Sequence, residues 1–558
     1  MAQQFQRTAS NVPMSISVAP WKRLHRLLFP FLLAVLLVPS VAWVIMDLSV
    51  WPWDQAWYGE VSVDLYYVLR TEPLKWLSAM IAAFGSKPPA IAYSGQFAVP
   101  LARFFGRVEP ALLMTVLACQ AGSLWFVWDI GQRLCQERRI VSAAGTLALG
   151  SAPLFVGIGH QYLAEAPQTL AVSWIYWLAL ASPNMRRPRL LSGLMAAVAL
   201  GMLAKTTTPL YCLFAGLIAL CVLLRSGVPV PLSRTARWLD GALLVVAGAL
   251  LALTVAWYWK NFVPALQHAR ISASSEIAMA YGRRGTLSTK LCFWLGQSSN
   301  ALLADGTILL CVAATVLLRV FQRPSNDLLK MRPLSPTGKL VAAAAVLQVA
   351  AVLVVFSFQD NEETRYLVPM LPLIAILVMW LLAAVGTSTL AWSLSAALLV
   401  QAMIVNAKAS GLGMGKWVDS VWLHPIHRDA RDYARISAIV ALTCPQTTAN
   451  HYAIIGVEYP SLNANSAAFF TAKQRVDKGW RCYYTSLGYA ESNPERAYRR
   501  LFDTNATFLV TESEDDQVKP ADAFNAVSLP VLRRVMTSPD FAIVQPPIDG
   551  VLIFRRKQ

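Results

Sequence analysis

Two carboxylates and three cations stand out in a chain that is otherwise mostly apolar. Asp54 follows the first long apolar run, in WDQAWYGE, and Glu165 lies in GHQYLAEAP, just ahead of another run. An acid at a membrane boundary costs free energy unless it is hydrated or paired. Both acids therefore invite a functional reading, against the plainer one of a solvated interfacial carboxylate. Placed near an attacking hydroxyl, either could take its proton. Glu60 and Asp64 rank below them. Lys87 precedes Pro88 and Pro89, which restrict the backbone around it. A lysine held this way can present a point charge to a phosphate, or can snorkel at the bilayer edge. Lys205 ends one apolar run and begins the next in GMLAKTTTPL, and Arg365-Tyr366 open a run after DNEET. Arg-Tyr at such a position also suits an interfacial anchor. Tyr58, His160 and His268 are candidates for substrate-facing positions on the same side. The histidines could also ligate a metal, although a lone histidine usually does not.

These residues need a scaffold. The 558 residues are 56% hydrophobic and 14% charged, where soluble domains carry about 25% charged residues. Apolar runs of about 20 residues, without strict alternation, predict an all-α polytopic membrane bundle rather than a β-barrel. The formal charge of +17 then reads as lysines and arginines flanking membrane helices, with no call for nucleic acid. Expected spans are 27–46, 109–131, 137–157, 166–183, 188–204, 206–225, 239–259, 301–320, 340–358, 365–384 and 387–406, about eleven in all. Ser40-Val41-Ala42 has the form of a signal cleavage site, but the run continues to Met46 and reads as an uncleaved span. The stretch AIAYSGQFAVPLARFFG (90–106), broken by Pro100 and Gly106, reads as an outside juxtamembrane helix. On that reading the clusters Arg133/Arg138/Arg139, Arg186/Arg187/Arg189, Arg225/Arg234/Arg237 and Arg319/Arg323/Lys330/Arg332/Lys339 all share one side.

The domain order follows. Residues 1–20 are a disordered cytoplasmic tail. Residues 21–406 form the transmembrane domain, with outside loops at 47–108, 158–165 and 260–300, the last a candidate lid. Residues 407–558 form a small extracytoplasmic α/β domain, with strands near 453–457, 507–510, 541–544 and 551–554 and helices near 428–442 and 494–502. Of the eight cysteines, Cys444 and Cys482 alone lie in that polar region. If it faces an oxidising compartment, they are expected to pair. The absence of retention signals and the short loops favour a bacterial cell membrane over the endoplasmic reticulum.

Taken in order, several motifs resemble the type-C superfamily of integral membrane glycosyltransferases, in particular its protein O-mannosyltransferase and lipid A aminoarabinose transferase branch. They are Asp54–Tyr58, KPP running to FFG (Lys87–Gly106), SAPLF (Ser151–Phe155), YLAEAP (Tyr162–Pro167), GLMAAVALGMLAKTTTP, WYWKN (Trp257–Asn261) and ETRYLVPMLPL (Glu363–Leu373). The resemblance covers about 47–385 and no single piece carries it. It departs from the common pattern in reading Asp54-Gln55 where many relatives have two acids, Glu at 165 where Asp is commoner, and threonine after Lys205.

The resemblance implies a GT-C fold and transfer of a sugar from a polyprenyl-phosphate donor to a lipid, glycan or protein acceptor on the extracytoplasmic face, in cell envelope glycosylation. It implies Asp54 as base, Glu165 as an acceptor or metal organiser, and Lys87, Arg365 and Tyr366 at the donor phosphate; Lys205 joins these from its position. A divalent metal ion is compatible with the acids but not required by them. The rival readings are a transporter or flippase of lipid-linked saccharides, which would place polar residues near the bilayer midplane on broken helices, and a non-catalytic membrane scaffold. The transferase reading requires Asp54, Lys87 and Arg365 to lie within roughly 15 Å of one another, the reach of one lipid phosphate and its sugar.

Overall fold

The computed structural model describes residues 19–135, 138–181, 185–225, 234–283, 285–321, 335–385, 388–444, 452–544 and 547–557. The expected tail lies outside the described residues except for Ala19 and Pro20, which already belong to the first helix. Parts of the positive clusters at 132–139, 184–189, 225–238 and 319–339 also lie outside them.

Helix α1 (Ala19–Met46) is followed by two helices where a loop was expected, α2 (Trp53–Thr71) and α3 (Pro73–Ala82), and then by α4 (Ala90–Gly95), which opens the expected juxtamembrane stretch. A 3-10 turn and α5 (Ala102–Phe105) complete a broken apolar stretch that does not cross the bundle. The bundle continues with α6 (Val108–Leu134), α7 (Arg139–Gly150), α8 (Pro153–Gly159), α9 (Glu165–Ala179), α10 (Arg187–Ala204) and α11 (Thr208–Arg225). Then come α12 (Arg234–Ala273), α13 (Glu276–Ala280), α14 (Leu287–Leu302), α15 (Thr307–Phe321), α16 (Pro336–Ser357), a 3-10 turn at Thr364–Met370, α17 (Leu371–Val385) and α18 (Ser388–Ala409).

Among the described residues, eight helices are long and apolar enough to cross a membrane, and two bent pairs bring the number to ten. The pairs are α7 with α8, bent by 62°, and α14 with the start of α15, bent by 58°. The remaining expected span, 166–183, is α9, whose 15 residues reach only about 22 Å at 1.5 Å per residue. It is a short helix buried between α6, α10 and α11. Close approach elsewhere depends on small residues. At Gly131 of α6 an added Cβ would stand 2.8 Å from the Cα of Ser142 on α7, so a larger residue would force the two helices apart.

The expected loop 260–300 is corrected: α12 runs unbroken for 40 residues, through Pro264. The reason lies in the helical spacing. Lys260, Asn261 and Gln267 end the apolar run but not that spacing, since Trp257 and Ala265 stay buried on one face while Trp259, Phe262 and Leu266 are exposed on the other. Only the segment around α13, between Ala273 and Leu287, departs from long helix.

The C-terminal region is an α/β unit. It contains α19 (Arg431–Thr443), β1 (Tyr452–Ile455), α20 (Ala464–Lys478), β2 (Tyr483–Ser486), α21 (Pro494–Asp503), β3 (Phe508–Glu512), α22 (Ser528–Thr537), β4 (Phe541–Ile543) and β5 (Val551–Arg556). The sheet order is β2-β1-β3-β5-β4, with β2, β1 and β3 parallel and β5 antiparallel to both β3 and β4. Ala453 and Ile455 face α19 and α20 while Ile454 faces α21 and α22, so both faces of β1 are covered. Elements α20, β2 and α22 have no counterpart among the expected strands and helices. The unit docks on the bundle through α20 against α2, where Trp51 stacks between Tyr162 at 5.3 Å and Phe469 at 5.2 Å.

Cys444 and Cys482 form a disulfide, with Cα atoms 5.7 Å apart, tying the end of α19 to the approach to β2. The other six cysteines are free. Thiol titration of denatured, unreduced protein should find six reactive cysteines and eight after reduction. Replacing Cys444 and Cys482 by serine should lower the stability of the C-terminal unit by about 2–4 kcal/mol in a denaturant titration.

Candidate active site

The charged residues singled out in the sequence meet at one end of the bundle, each placed by a helix terminus or the turn beside one. Asp54 lies in the first turn of α2 and Glu165 in the first turn of α9, where the unpaired N–H groups and the helix dipole favour an anion. Lys205 is the C-cap of α10, where a cation is favoured. Lys87 stands between α3 and α4. Arg365 sits in the 3-10 turn that leads into α17.

Their side chains form one continuous chain. Lys87 Nζ donates to Asp54 Oδ1 at 2.5 Å. Both terminal nitrogens of Arg365 donate to Asp54 Oδ2 at 3.3 Å. Arg365 Nε stands 3.5 Å from Glu165 Oε1, and Lys205 Nζ donates to that same oxygen at 2.6 Å. Glu363 joins the set by accepting from Arg365 at 2.8 Å. Three cations thus face three acids, and Glu165 is 1% exposed. Charges this deep persist only when paired and hydrogen-bonded. The whole set falls far inside the expected limit.

Aromatic rings line the cations. Lys87 Nζ lies 4.8 Å from the Trp57 ring and 5.9 Å from that of Tyr58. Lys205 Nζ lies 4.4 Å from the Tyr366 ring, and Arg365 packs 5.5 Å from Trp422. The Tyr366 hydroxyl accepts from Asn361, and its carbonyl accepts from Tyr211 at 2.6 Å. His268, on α12, is within electrostatic reach of Lys87 and Asp54. His160 is elsewhere: it is buried against α1, its ring stacked 4.2 Å from Trp43 and its Nε2 3.1 Å from Ser40 Oγ. It serves packing, because the turn after α8 directs it to α1 while its neighbour Gln161 faces the site.

Several residues of the site escape a reading of the sequence. Gln55 bonds the Gln161 amide at 3.4 Å and accepts from the Tyr162 N–H at 3.3 Å, tying the first acidic segment to the second. A second acid there could not donate to Gln161. Trp422 donates to Thr364 at 2.9 Å and brings the linker after α18 over Arg365. Glu363 carries a signal, two residues before Arg365. Trp422 carries none, lying in an unpatterned stretch.

The donor set does not suit a divalent ion. Both oxygens of Asp54 are taken by Lys87 and Arg365, and Glu165 Oε1 faces Lys205 and Arg365. Among the described residues no group of three His, Cys, Asp or Glu is arranged to hold a metal.

Residues 86–259 match the family described as dolichyl-phosphate-mannose-protein mannosyltransferase. The fold matches ArnT from Cupriavidus metallidurans bound to undecaprenyl phosphate, with TM-score 0.53 and 16% identity over 96% of this chain and 98% of that one. The apo form of that ArnT matches equally, at TM-score 0.53 and 16% identity over 96% and 97% of the two chains. The chain has the GT-C fold of membrane glycosyltransferases. A further match is the archaeal oligosaccharyltransferase AglB from Archaeoglobus fulgidus, in complex with an inhibitory peptide and a dolichol-phosphate, at TM-score 0.50 and 9% identity over 96% and 75%. No curated protein sequence matches the chain significantly. In this GT-C chain the family-matched segment begins at Ser86 and so contains Lys87, Glu165 and Lys205; Asp54 and Arg365 flank it.

Burial opposes ionisation of Asp54, but Lys87 and then Arg365 override it and hold the carboxyl well below the usual carboxylate range. A carboxyl lowered on folding contributes stability above its ordinary value, and that contribution is lost only as pH falls through the depressed one. Between pH 5 and 8 the stability of the protein should therefore show no step that disappears in Asp54→Asn. Arg365→Gln leaves three acids facing two lysines and should destabilise the protein by about 3–5 kcal/mol, read by thermal unfolding in detergent, with Arg365→Lys recovering part of the loss.

Proposed function

We propose that the chain is a glycosyltransferase that moves a sugar from a polyprenyl-phosphate donor to an acceptor hydroxyl at the end of the bundle where Asp54 and Arg365 lie. The observation that carries this reading is the unbroken chain Lys87–Asp54–Arg365–Glu165–Lys205. It places three fixed cations around two carboxylates inside a GT-C fold. The ArnT and AglB structures carry undecaprenyl phosphate and a dolichol-phosphate respectively. Both are polyprenyl phosphates, and this supports the same donor class here.

The chemistry follows from the charges. The bond from C1 of the sugar to the phosphate oxygen breaks, and its electron pair stays on the phosphate. A phosphate leaves readily, so what the site must supply is charge stabilisation as that bond lengthens, and preorganised cations do so without reorganising at the moment of reaction. Lys87 and Arg365 are the cations nearest Asp54, and Lys205 stands behind Glu165. The acceptor oxygen forms the new bond to C1, and its proton passes to Asp54. Attack opposite the phosphate inverts the configuration at C1. Glu165 and Glu363 hold Arg365 in place between the two acidic segments.

A flippase reading has no support in the geometry. The charges sit at helix termini at one end of the bundle, and an alternating-access transporter would place them near the middle. The site end is read as extracytoplasmic, which makes the N-terminus cytoplasmic and the membrane that of the cell.

A panel of polyprenyl-phosphate sugars, with membrane extract as acceptor, tests the proposal. Purified protein should transfer at least one sugar. Asp54→Asn should cut the rate by about 10²–10⁴-fold, the range for losing a general base, while donor binding persists. Lys87→Ala should raise the donor KM and also lower kcat. Transfer that survives Asp54→Asn unchanged would remove the base assignment, and retention of configuration at C1 would remove the direct displacement.

A further inference from the structure

On the side of Asp54 facing the C-terminal unit, one wall of the site is aromatic and is assembled from three separate stretches. Tyr281 closes α13. Tyr489 follows β2, and Phe524 precedes α22. The Phe524 ring lies 5.2 Å from Tyr281 and 5.1 Å from Tyr489, and the two tyrosine hydroxyls hydrogen-bond to each other. Beside them stands Trp53, the residue before Asp54, whose indole N–H donates to Glu458 Oε2 at 3.1 Å. The Glu458 N–H donates to Asn525, the residue after Phe524, at 2.7 Å, so Trp53 ties this wall to the adjoining Asp54, the carboxylate assigned as base.

Three features argue that the wall is more than packing. Rings that serve a core are covered, yet Tyr489 is 43% exposed. Trp53 is held at φ 31°, a conformation that costs a non-glycine residue free energy and persists where the surroundings enforce it, as at ligand sites. And Tyr281 is fixed relative to the cations. The Glu362 N–H donates to the Tyr281 carbonyl at 3.2 Å and the Asp360 N–H to the Ala273 carbonyl at 2.8 Å. Gly282 permits this contact: an added Cβ would stand 2.0 Å from the Asp360 carbonyl oxygen. The segment carrying Tyr281 is thus stitched to the loop that carries Glu363 and Arg365.

The chemistry of the wall specifies its ligand. Flat rings with a few fixed polar groups suit a ring-shaped ligand whose faces are apolar and whose edges carry hydroxyls. Glu458, 8% exposed, offers an acceptor for such hydroxyls. The wall's own charged group is an acid, and the cations Lys87, Arg365 and Lys205 stand around Asp54 and Glu165, where the proposed reaction gives them to the donor phosphate. A phosphate on the acceptor would therefore meet Glu458 without a cation of its own. We propose that Trp53, Tyr281, Tyr489, Phe524 and Glu458 form the acceptor subsite, and that it takes a neutral saccharide, one hydroxyl of which is presented to Asp54. The inference rests on the transferase reading above and names its acceptor class.

The test uses full-length protein in nanodiscs carrying Asp54→Asn, which stops turnover and leaves the wall intact. Saturation-transfer NMR would score a panel of neutral methyl glycosides and short oligosaccharides beside phosphorylated saccharides and a serine- and threonine-containing peptide. Polyprenyl phosphate binding would be measured in the same samples. At least one neutral saccharide should bind. Adding Phe524→Ala or Tyr489→Ala should weaken that binding by about 10-fold, the loss of roughly one aromatic stacking contact, with polyprenyl phosphate binding unchanged. Tyr489→Phe keeps the ring and should stay within about 3-fold of the parent. The proposal is overturned by saccharide binding that ignores both alanine variants, by alanine variants that lose polyprenyl phosphate as well, or by a panel in which only the peptide or the phosphorylated compounds bind. Saccharide binding of the expected pattern, in a protein whose unsubstituted form transfers no sugar from any donor, would keep the subsite and remove the transferase reading.

Discussion

The guanidinium of Arg365 is the interaction on which the rest of the site depends. It is shared among Asp54, Glu165 and Glu363, which arrive from α2, α9 and the turn before α17. Without it three acids would converge in a poorly solvated place with only Lys87 and Lys205 between them, and such a convergence is prohibitive. The planar fork of arginine matters here. A lysine presents one compact charge, whereas a guanidinium can face carboxylates on several edges at once. In the reaction we propose, the cation that lets the acids gather also receives the leaving phosphate, so assembly of the fold and stabilisation of the reaction draw on one charge.

That dependence extends into the C-terminal unit through α2. Arg475 pairs with Asp64 at 2.9 Å, and Arg481 pairs with both Glu60, at 2.9 Å, and Asp64. Lys473 reaches Glu109 at 2.6 Å. Glu60 and Asp64, ranked below Asp54 as chemical groups, are instead the handle by which α20 and β2 grip the helix that carries it. Burial outweighs the pull of Arg481 and pushes Glu60 up to about 7. A carboxyl raised on folding gives stability that is complete below its ordinary value and is lost as pH rises through the shifted one. Glu60 thus favours the folded state more in mild acid, where its carboxyl is neutral, than at neutrality, while the charges around Asp54 stay fixed throughout.

Much of this is legible in the amino-acid sequence, and the boundary of what is legible has physical causes. Charged residues in an apolar chain are costly, so each one needs an explanation, and Asp54, Lys87, Glu165, Lys205 and Arg365 stand out for that reason. The spans follow from hydropathy, except where the hydropathy run and the helix differ in length: α12 outlasts its apolar run at Lys260 and Asn261, and α9 falls short of a full crossing. The pairing of Cys444 with Cys482 follows from compartment and scarcity. Helices α2 and α3 are hidden because α2 carries acids and aromatics without a strong apolar face. Strand β2 spans only four residues and α22 carries Pro530 in its first turn, so neither offers a long periodic run. His160 misleads because a lone histidine gives no direction: the turn after α8 sends it to Trp43.

The residues that escape share a cause, and it bears on how the two halves of the reaction are divided. Everything assigned to the donor lies on helix ends of the bundle, where charge is constrained by desolvation and leaves a mark in the sequence. Trp422, Glu458, Tyr489 and Phe524 come from the linker and the C-terminal unit, where polar and aromatic residues are ordinary and no single one is conspicuous. A phosphate is the same in every polyprenyl donor, so its cations must be placed the same way on rigid elements. An acceptor differs from one enzyme to another, and loops of a separate unit can change around it without disturbing the bundle. The α2 helix joins the two halves: Asp54 faces the cations, Trp53 faces Glu458, and a single peptide link sets the distance between them.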